Sequence, residues 1–254
     1  MDKKHPFIHE HELATKARAI IRDFSLRILP VTDEKRKLLG KVSRRDVMAI
    51  SSSVSPIRVG GIMTPAKHVA TVEDDAAKAV KEMLRVDAWY APVVNSHNEK
   101  TYKGVLGLEH FIEPQIKANP KKLLKEVSAV MTRNVLACSP DDEIDNIWRL
   151  MREKRFAGLP VVNNGKLLGI ITQKDLLESG ATMPTFESAK GRFRASSKVS
   201  SIMKTEVTAV KPSIKIIEVA KVMISRDIGR VPVIDDGGKL IGIVDREDVA
   251  RLLA

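Results

Sequence analysis

The chain has 254 residues and a formal net charge of +11 at pH 7, a length that provides a buried core for one large or two ordinary domains. It has no apolar run of the roughly 20 residues that a membrane-spanning helix needs, no secretory signal at its start, and one cysteine, Cys138, which excludes an internal disulfide. These features predict a cytoplasmic protein without a membrane segment, and the positive charge favours polyanionic partners such as nucleotides, RNA or acidic protein surfaces.

One order of elements recurs four times along the chain. Each repeat has an amphipathic helix, an apolar strand around a proline, a polar turn, a second strand that starts at a glycine, and a final helix. The prolines are Pro30, Pro92, Pro160 and Pro232, and the glycines are Gly40, Gly104, Gly169 and Gly242. In the third repeat, Ile144, Ile147 and Met151 follow helical spacing. We therefore predict an α/β (α+β) fold built from four helix-strand-strand-helix repeats.

Two of the first helices carry sequence signals for their N-termini. Ser139, with an acid three residues later, predicts that the helix of the third repeat begins there. Thr71 and Asp74 repeat this pattern in the second repeat. Residues 113–120 contain two prolines and few large apolar side chains, which predicts a linker between the halves of the chain.

A further segment precedes the second, third and fourth repeats: Val-x-x-(Ile/Val)-Met followed by Thr64, Thr132 or Lys204. With the apolar-Pro-Val strands and the Gly-apolar-apolar-(Ser/Thr)-x-x-Asp endings, this segment makes the whole chain resemble the cystathionine-β-synthase (CBS) domain family, in a prokaryotic, archaeal form. The resemblance implies two modules, repeats 1 and 2 in residues 1–118 and repeats 3 and 4 in residues 119–254, the second with a basic insertion near 180–198. It is also compatible with a homodimer.

The Ser/Thr-x-x-Asp ending of a repeat has two interpretations. By itself it is a helix capping box, in which the hydroxyl and the acid satisfy backbone N–H groups. In relatives that bind adenosine compounds, the resemblance implies that the acid holds the ribose and the hydroxyl reaches a phosphate, while the Met-Thr segment frames the adenine. The third repeat has Thr172 and Asp175, with Thr132 and Val135 expected near the base. The third repeat is therefore predicted to be the best site.

The other repeats depart from this pattern. Repeat 1 has Ser43 and Asp46, but residues 7–8 replace its Met-Thr start, which puts its adenine pocket in doubt. Repeat 2 has Gly107 and His110 where the hydroxyl and the acid should stand, and is predicted to be vacant.

Repeat 4 keeps the acid, Asp248, but has Asp245 at the hydroxyl position. A carboxylate there repels phosphate. Arg230, where the resemblance places a phosphate-binding arginine, could offset this repulsion. Alternatively, Asp245 suits a cationic adenosyl ligand such as S-adenosylmethionine, or it only caps a helix.

No catalytic signature is present: the chain has no P-loop, no Ser-His-Asp arrangement and no HExxH motif. His5, His9 and His11 lack a further metal ligand at useful spacing, and Cys138 has no partner base. We therefore predict a non-enzymatic regulatory protein that requires no cofactor and no metal. Its expected ligands are AMP, ADP, ATP or S-adenosylmethionine, and it is expected to signal to a partner.

The alternative is an RNA- or ribosome-binding factor, for example in translation or hibernation, under nucleotide control. Its candidate contacts are two basic segments, in which arginine and lysine can pair with phosphates and Phe193 can stack on a base. A solvated linker is the competing interpretation of the second segment. The residues are Lys35, Arg36, Lys37, Lys190, Arg192, Phe193, Arg194 and Lys198.

Overall fold

The computed structural model describes residues 1–50, 55–118, 120–180 and 197–254, and it confirms the mixed α/β fold. The helices are α1 (Ala14–Asp23), α2 (Arg44–Val47), α3 (Ala76–Arg85), α4 (Leu108–Ala118), α5 (Ile144–Lys154), α6 (Gln173–Ser179), α7 (Ile216–Ser225) and α8 (Arg246–Leu253). The strands are β1 (Ile8–His9), β2 (Ile28–Thr32), β3 (Leu38–Ser43), β4 (Ala70–Thr71), β5 (Tyr90–Val94), β6 (Tyr102–Gly107), β7 (Gly158–Asn163), β8 (Lys166–Thr172), β9 (Arg230–Ile234) and β10 (Leu240–Asp245).

In every repeat, the two predicted strands form an antiparallel pair: β2 with β3, β5 with β6, β7 with β8 and β9 with β10. A short parallel strand or bridge, which the sequence patterns did not predict, precedes the first helix of each repeat and pairs with the proline-containing strand. It is β1 beside β2 and β4 beside β5, and it shortens to the bridges Cys138–Val161 and Val210–Val233 in the last two repeats. The sheets are therefore two or three strands wide.

The first helices begin later than the capping patterns predict. α5 begins at Ile144, and Ser139 instead donates its backbone N–H to Asp142 Oδ2 at 2.8 Å in a turn before the helix. Thr71 donates in the same way to Asp74 Oδ2 at 2.8 Å. The acid in both repeats closes a turn between the parallel strand and the helix, because a short acidic side chain can bond a nearby backbone N–H outside a helix as well as at its start.

The predicted linker is also wrong over most of its length, because α4 continues through Pro114 to Ala118. A proline inside a helix removes one backbone hydrogen bond. Packing offsets this loss: Phe111 and Ile112 are buried, and Ile116 packs against the same apolar core.

The four repeats meet through two kinds of contact. Strand-side bridges join repeat 1 to repeat 2, as at Lys37–Thr101, and repeat 3 to repeat 4, as at Lys166–Lys239. Helix packing joins repeat 1 to repeat 3 and repeat 2 to repeat 4. Each of these two pairs of repeats shares one buried apolar cluster. The division into modules 1–118 and 119–254 stays a prediction. In the described part of the chain, no helix is both long and apolar enough to cross a membrane.

Candidate functional site

The Met-containing segments, 59–64, 127–132 and 199–204, lie on repeats other than those that they precede. We call them the entry segments. Thr64 pairs with Lys41 of β3 in repeat 1, with backbone N···O distances of 2.9 Å in both directions. Thr132 pairs in the same way with Ile243 of β10 in repeat 4, and Lys204 with Ile170 of β8 in repeat 3. Each entry segment therefore completes the site of a neighbouring repeat.

Glycines inside the second strands allow this close approach. A Cβ atom at Gly40 would lie 2.8 Å from the Thr64 carbonyl oxygen, and one at Gly169 would lie 2.7 Å from the Lys204 carbonyl oxygen. A Cβ atom at Gly242 would lie 2.6 Å from Met131 Sδ. The contacts with backbone oxygens at Gly40 and Gly169 are too short for a side chain, whereas the flexible Met131 side chain could move away from one at Gly242, so the Gly-apolar-apolar pattern marks where an entry segment crosses the strand.

This crossing corrects the grouping of the third site. Thr132 pairs with Ile243 of β10 in repeat 4, whereas the residue that pairs with β8 of repeat 3 is Lys204, whose Nζ lies 4.0 Å from Asp175 Oδ1. Periodicity assigns an entry segment to the repeat that follows it in sequence, but strand pairing places it on the other repeat.

The doubt about repeat 1 is resolved for the same reason. Its entry segment is 59–64, with an intact Met63-Thr64, so residues 7–8 do not frame its pocket. The N-terminal residues extend instead along β6 of repeat 2, where Asp2 donates its N–H to the Val105 carbonyl oxygen at 2.8 Å.

Four functional groups converge in repeat 1. Asp46 Oδ2 accepts hydrogen bonds from Ser43 Oγ at 2.6 Å and from the Ser43 backbone N–H at 2.7 Å. Lys41 Nζ donates to Thr64 Oγ1 at 3.0 Å and lies 3.8 Å from Asp46 Oδ2. Burial lowers the pKa of Lys41, and the nearby Asp46 carboxylate opposes that shift. A carboxylate, an ammonium group and two hydroxyl groups are thus held together at the end of β3.

A cavity of about 420 Å³, within the size range of small-molecule sites, is lined by Gly40 and Pro65, the chain neighbours of Lys41 and Thr64, and by none of the cluster residues themselves. Burial lowers the pKa of His68 below its usual value, which favours the neutral imidazole. Within the described residues, His68 Nε2 is buried without a hydrogen-bond partner. The lining thus combines apolar and basic residues, and the unpaired His68 nitrogen is buried rather than exposed to the cavity. Its lining residues are Leu38, Leu39, Gly40, Pro65, Ala66, Lys67, His68, Val69, His97 and Lys100.

The site of repeat 3 has the same pair of carboxylate and hydroxyl groups as repeat 1, but its positive charge comes from other residues. Asp175 Oδ2 accepts from Thr172 Oγ1 at 2.6 Å and from the Thr172 backbone N–H at 2.9 Å. Lys204 Nζ lies 4.0 Å from Asp175 Oδ1. Arg230 of repeat 4 donates to the carbonyl oxygen of Gly158 at 2.8 Å, and Gly158 pairs with Thr172 across the strands. Arg230 therefore lies next to the site of repeat 3 as well as that of repeat 4.

The site of repeat 4 concentrates negative charge. Asp245 Oδ1 accepts the backbone N–H groups of Glu247 and Asp248 at 2.9 and 3.1 Å, so it caps α8. Asp248 Oδ2 accepts the Asp245 N–H at 2.9 Å. Burial, reinforced by the Asp245 charge, raises the pKa of Asp248 to about 7. The capping interpretation of Asp245 describes its observed contacts.

The site of repeat 2 is occupied by the protein itself. Gly107 donates its N–H to His110 Nδ1 at 2.9 Å, which replaces the usual carboxylate contact. A side chain at Gly107 would overlap the Glu109 carboxylate. Glu109 Oε2 in turn accepts from Tyr90 Oη at 3.0 Å and from Arg246 Nη1 at 2.9 Å. In the sequence, Gly107 and His110 indicate that repeat 2 departs from the pattern. Only the contacts with repeat 4 show which side chains take the place of the missing groups.

The other singled-out residues have ordinary roles where the structure describes them. His5 and His9 bond backbone carbonyl groups at 3.0 Å, and the described residues contain no group of three or more metal-ligating side chains. Cys138 is buried, and burial raises its thiol pKa to about 12, so it is not an activated nucleophile.

The basic segments are only partly described. Residues 35–37 form an exposed turn, in which the Arg36 guanidinium lies 4.8 Å from the centre of the Phe7 ring. Lys198 Nζ lies 3.0 Å from Asp141 Oδ1. The remaining candidates for RNA contact, Lys190, Arg192, Phe193 and Arg194, lie outside the described residues.

Comparison with known sequences finds a match to the CBS domain over residues 1–53, 127–181 and 199–254, which leaves out most of repeat 2. The uncharacterized protein MJ1225 of Methanocaldococcus jannaschii is 27% identical over 223 residues, 84% of this chain and 74% of the relative. An inosine-5'-monophosphate dehydrogenase of Korarchaeum cryptofilum is 33% identical over 151 residues, 58% of this chain and only 28% of the enzyme.

Comparison with solved structures finds the same arrangement of repeats. The crystal structure of MJ1225, described as a candidate archaeal homologue of g-AMPK, covers 100% of this chain and 98% of its own, with a TM-score of 0.87 and 22% identity. A Pyrococcus horikoshii protein covers 90% of this chain and 91% of its own, with a TM-score of 0.64 and 25% identity. The likeness to MJ1225 shows a shared fold across the whole chain.

Proposed function

Because the chain belongs to the CBS domain family, we propose that it is a non-catalytic regulatory protein that binds adenosine-containing ligands and communicates their presence to a partner. The candidate ligands are AMP, ADP, ATP and S-adenosylmethionine. The observation that carries the proposal is the carboxylate, ammonium and hydroxyl cluster of repeat 1 beside a cavity of about 420 Å³. The description of MJ1225 as a candidate homologue of g-AMPK supports the same class of function.

The chemistry of repeat 1 suits a nucleotide. Asp46 can accept both hydrogen bonds of a ribose diol, while Lys41 and the Thr64 hydroxyl can turn toward a phosphate group. The apolar part of the cavity lining, which includes Leu38, Leu39 and Val69, suits the faces of an adenine ring. Repeat 3 presents the same functions through Asp175, Thr172 and Lys204. We therefore assign the nucleotide sites to repeats 1 and 3.

Replacing Asp46 or Asp175 with alanine tests these sites. Each variant loses the acceptor for the ribose hydroxyls, and a hydrogen bond to a charged group contributes about 1.5–3 kcal/mol, or roughly ten- to hundredfold in affinity. Titration calorimetry with AMP and ATP is expected to show this weakening at one class of sites per variant, and loss of both classes in the double variant.

Asp74→Ala is the matched control. Asp74 accepts from the Thr71 backbone and hydroxyl at 2.8 and 2.9 Å, as Asp46 does from Ser43, but it belongs to a turn before α3. Its loss should leave nucleotide affinity unchanged. Wild-type protein that binds neither AMP nor ATP would contradict the proposed function, and unchanged affinity in both aspartate variants would contradict the assigned sites.

Fewer than four ligands are expected to bind per chain. Glu109 fills the place of the missing side chain at Gly107, and its ion pair with Arg246 holds it there. Equilibrium dialysis at saturating AMP measures the number bound. Four equivalents per chain, or nucleotide density against His110 in a co-crystal, would refute the vacancy of repeat 2.

RNA or ribosome binding is the second candidate function. Among the described residues, the exposed turn formed by Lys35, Arg36 and Lys37 supports it, since the three basic side chains form no ion pair within the described ranges, although Asp33 Oδ1 accepts the Lys37 backbone N–H at 2.8 Å. Sedimentation of the native protein with ribosomes in a fractionated lysate would favour this alternative, and recovery in the unbound pool would argue against it.

A further inference from the structure

A second cavity, of about 510 Å³, shares no lining residue with the cavity of repeat 1. Four arginines and one glutamate line it: Arg45, Arg149, Arg152, Arg155 and Glu153. Arg45 belongs to α2 of repeat 1. The others lie in the second half of α5 in repeat 3, or directly after it. The cavity is therefore built from two distant parts of the chain.

Within the described part of the chain, the four arginines form no ion pair. Other exposed arginines do, such as Arg85 with Glu82 and Arg251 with Glu247. Like charges that face one cavity repel each other, and Glu153 offsets only one of them. The charge balance of the cavity therefore favours an anion.

Helix electrostatics account for only part of this cluster. Cations near the C-terminus of a helix interact favourably with its dipole, which explains basic residues near the end of α5. That effect does not bring Arg45 of another repeat to the same cavity. The Trp148 ring also orients the Arg152 side chain, because the guanidinium carbon of Arg152 lies 5.8 Å from the centre of that ring.

We propose that this cavity binds a ligand with a chain of two or more phosphate groups. The planar guanidinium group forms paired hydrogen bonds with phosphate oxygens, which makes arginine the preferred residue for such recognition. A single phosphate would satisfy one or two guanidinium groups, whereas a phosphate chain can contact the arginines of both repeats. The ligand would be a free oligophosphate or the phosphate tail of a nucleotide, since both present the same chemistry.

Binding at this place would join repeats 1 and 3. A ligand that contacts Arg45 on one side and the arginines of α5 on the other stabilises only the state in which the two elements are assembled. Thermal unfolding of the full chain should therefore shift to higher temperature when tripolyphosphate is added.

Calorimetric titration of the full chain with sodium tripolyphosphate tests the proposal. Arg149→Gln and Arg152→Gln are each expected to weaken binding about tenfold, because each removes a charge-assisted contact, and added salt should weaken binding further. Arg85→Gln is the matched control, since Arg85 is the last residue of α3, is exposed, and is paired with Glu82. It should leave the affinity unchanged.

One further variant distinguishes binding at this cavity from binding at the proposed nucleotide sites. The Asp46→Ala/Asp175→Ala chain should bind tripolyphosphate as tightly as wild type, so the nucleotide proposal can fail without affecting this one. Competition of ATP with tripolyphosphate in that variant would identify a nucleotide tail as the source, and its absence a free oligophosphate. No binding of tripolyphosphate, equal affinity in the Arg149→Gln/Arg152→Gln chain, or binding of single-stranded RNA alone would overturn the proposal.

Discussion

Replacing Arg246 with alanine is expected to lower the free energy of unfolding by about 3–5 kcal/mol, the cost of removing one partner from a buried ion pair. Arg246 is 1% exposed. Its guanidinium donates to Glu109 Oε2 at 2.9 Å, to Asp227 Oδ1 at 2.7 Å and to Tyr90 Oη at 3.1 Å. Urea denaturation of the variant and the wild type measures the difference.

The size of this effect follows from where the partners lie. Tyr90 and Glu109 belong to repeat 2, whereas Arg246 and Asp227 belong to repeat 4, so the network spans an interface between repeats. Burial raises the pKa of Tyr90 to about 12, so its hydroxyl stays neutral. Without Arg246, the partly buried Glu109 side chain loses its cationic partner.

Arg251→Ala provides the control on the same helix. Arg251 is 55% exposed in its pair with Glu247, and an exposed ion pair contributes about 0–1 kcal/mol. Equal losses in the two variants would show that the buried network has no special role, and a loss below about 1 kcal/mol for Arg246→Ala would contradict the prediction.

The stability of the protein is expected to fall by about 1–3 kcal/mol as the pH rises from 5 to 7, through the titration of Asp248. Its pKa is about 7 in the folded chain, against an ordinary value of 3.8. Between these values the folded state holds a proton that the unfolded state has released. The stabilisation is therefore present at low pH, is lost as the pH approaches 7, and does not change further above that.

Asp248→Asn should flatten this part of the stability curve, because the amide carries no charge to repel Asp245. Asp74→Asn is the control: a backbone hydrogen bond from Thr71 lowers the pKa of Asp74, so that carboxyl stays ionised throughout this range. Chemical denaturation at pH 5, 6, 7 and 8 measures the curves. An equal slope in wild type and Asp248→Asn would contradict the assignment to this residue.

The local pattern of the chain determined the repeating elements. The apolar-Pro-apolar strands at Pro30, Pro92, Pro160 and Pro232 each pair with the predicted second strand, although that strand begins two or three residues before its glycine. The acid three residues after Ser43 and Thr172 forms the capping box that the spacing predicts. These features depend on residues close together in the sequence, so hydrophobic period and turn chemistry suffice to find them.

The assignment of the entry segments to sites was decided by the tertiary structure. Thr132 stands directly before repeat 3, yet its backbone pairs with Ile243, more than a hundred residues later. Periodicity contains no information about which of several equivalent strands a segment will join, since each of them presents the same glycine and the same backbone hydrogen-bonding groups. Only the path of the connecting chain and the packing of the helices make that choice.

Contacts between side chains from distant repeats were equally hidden from the sequence. Gly107 alone marked repeat 2 as a departure, but the Glu109 carboxylate that fills the gap is held by Arg246, which follows 137 residues later. Arg45 is one of many basic residues in the sequence, and it becomes notable only where the fold brings it to the arginines of α5. Charge and burial at such places depend on three-dimensional neighbours, and a one-dimensional pattern specifies the elements without specifying which of their faces will meet.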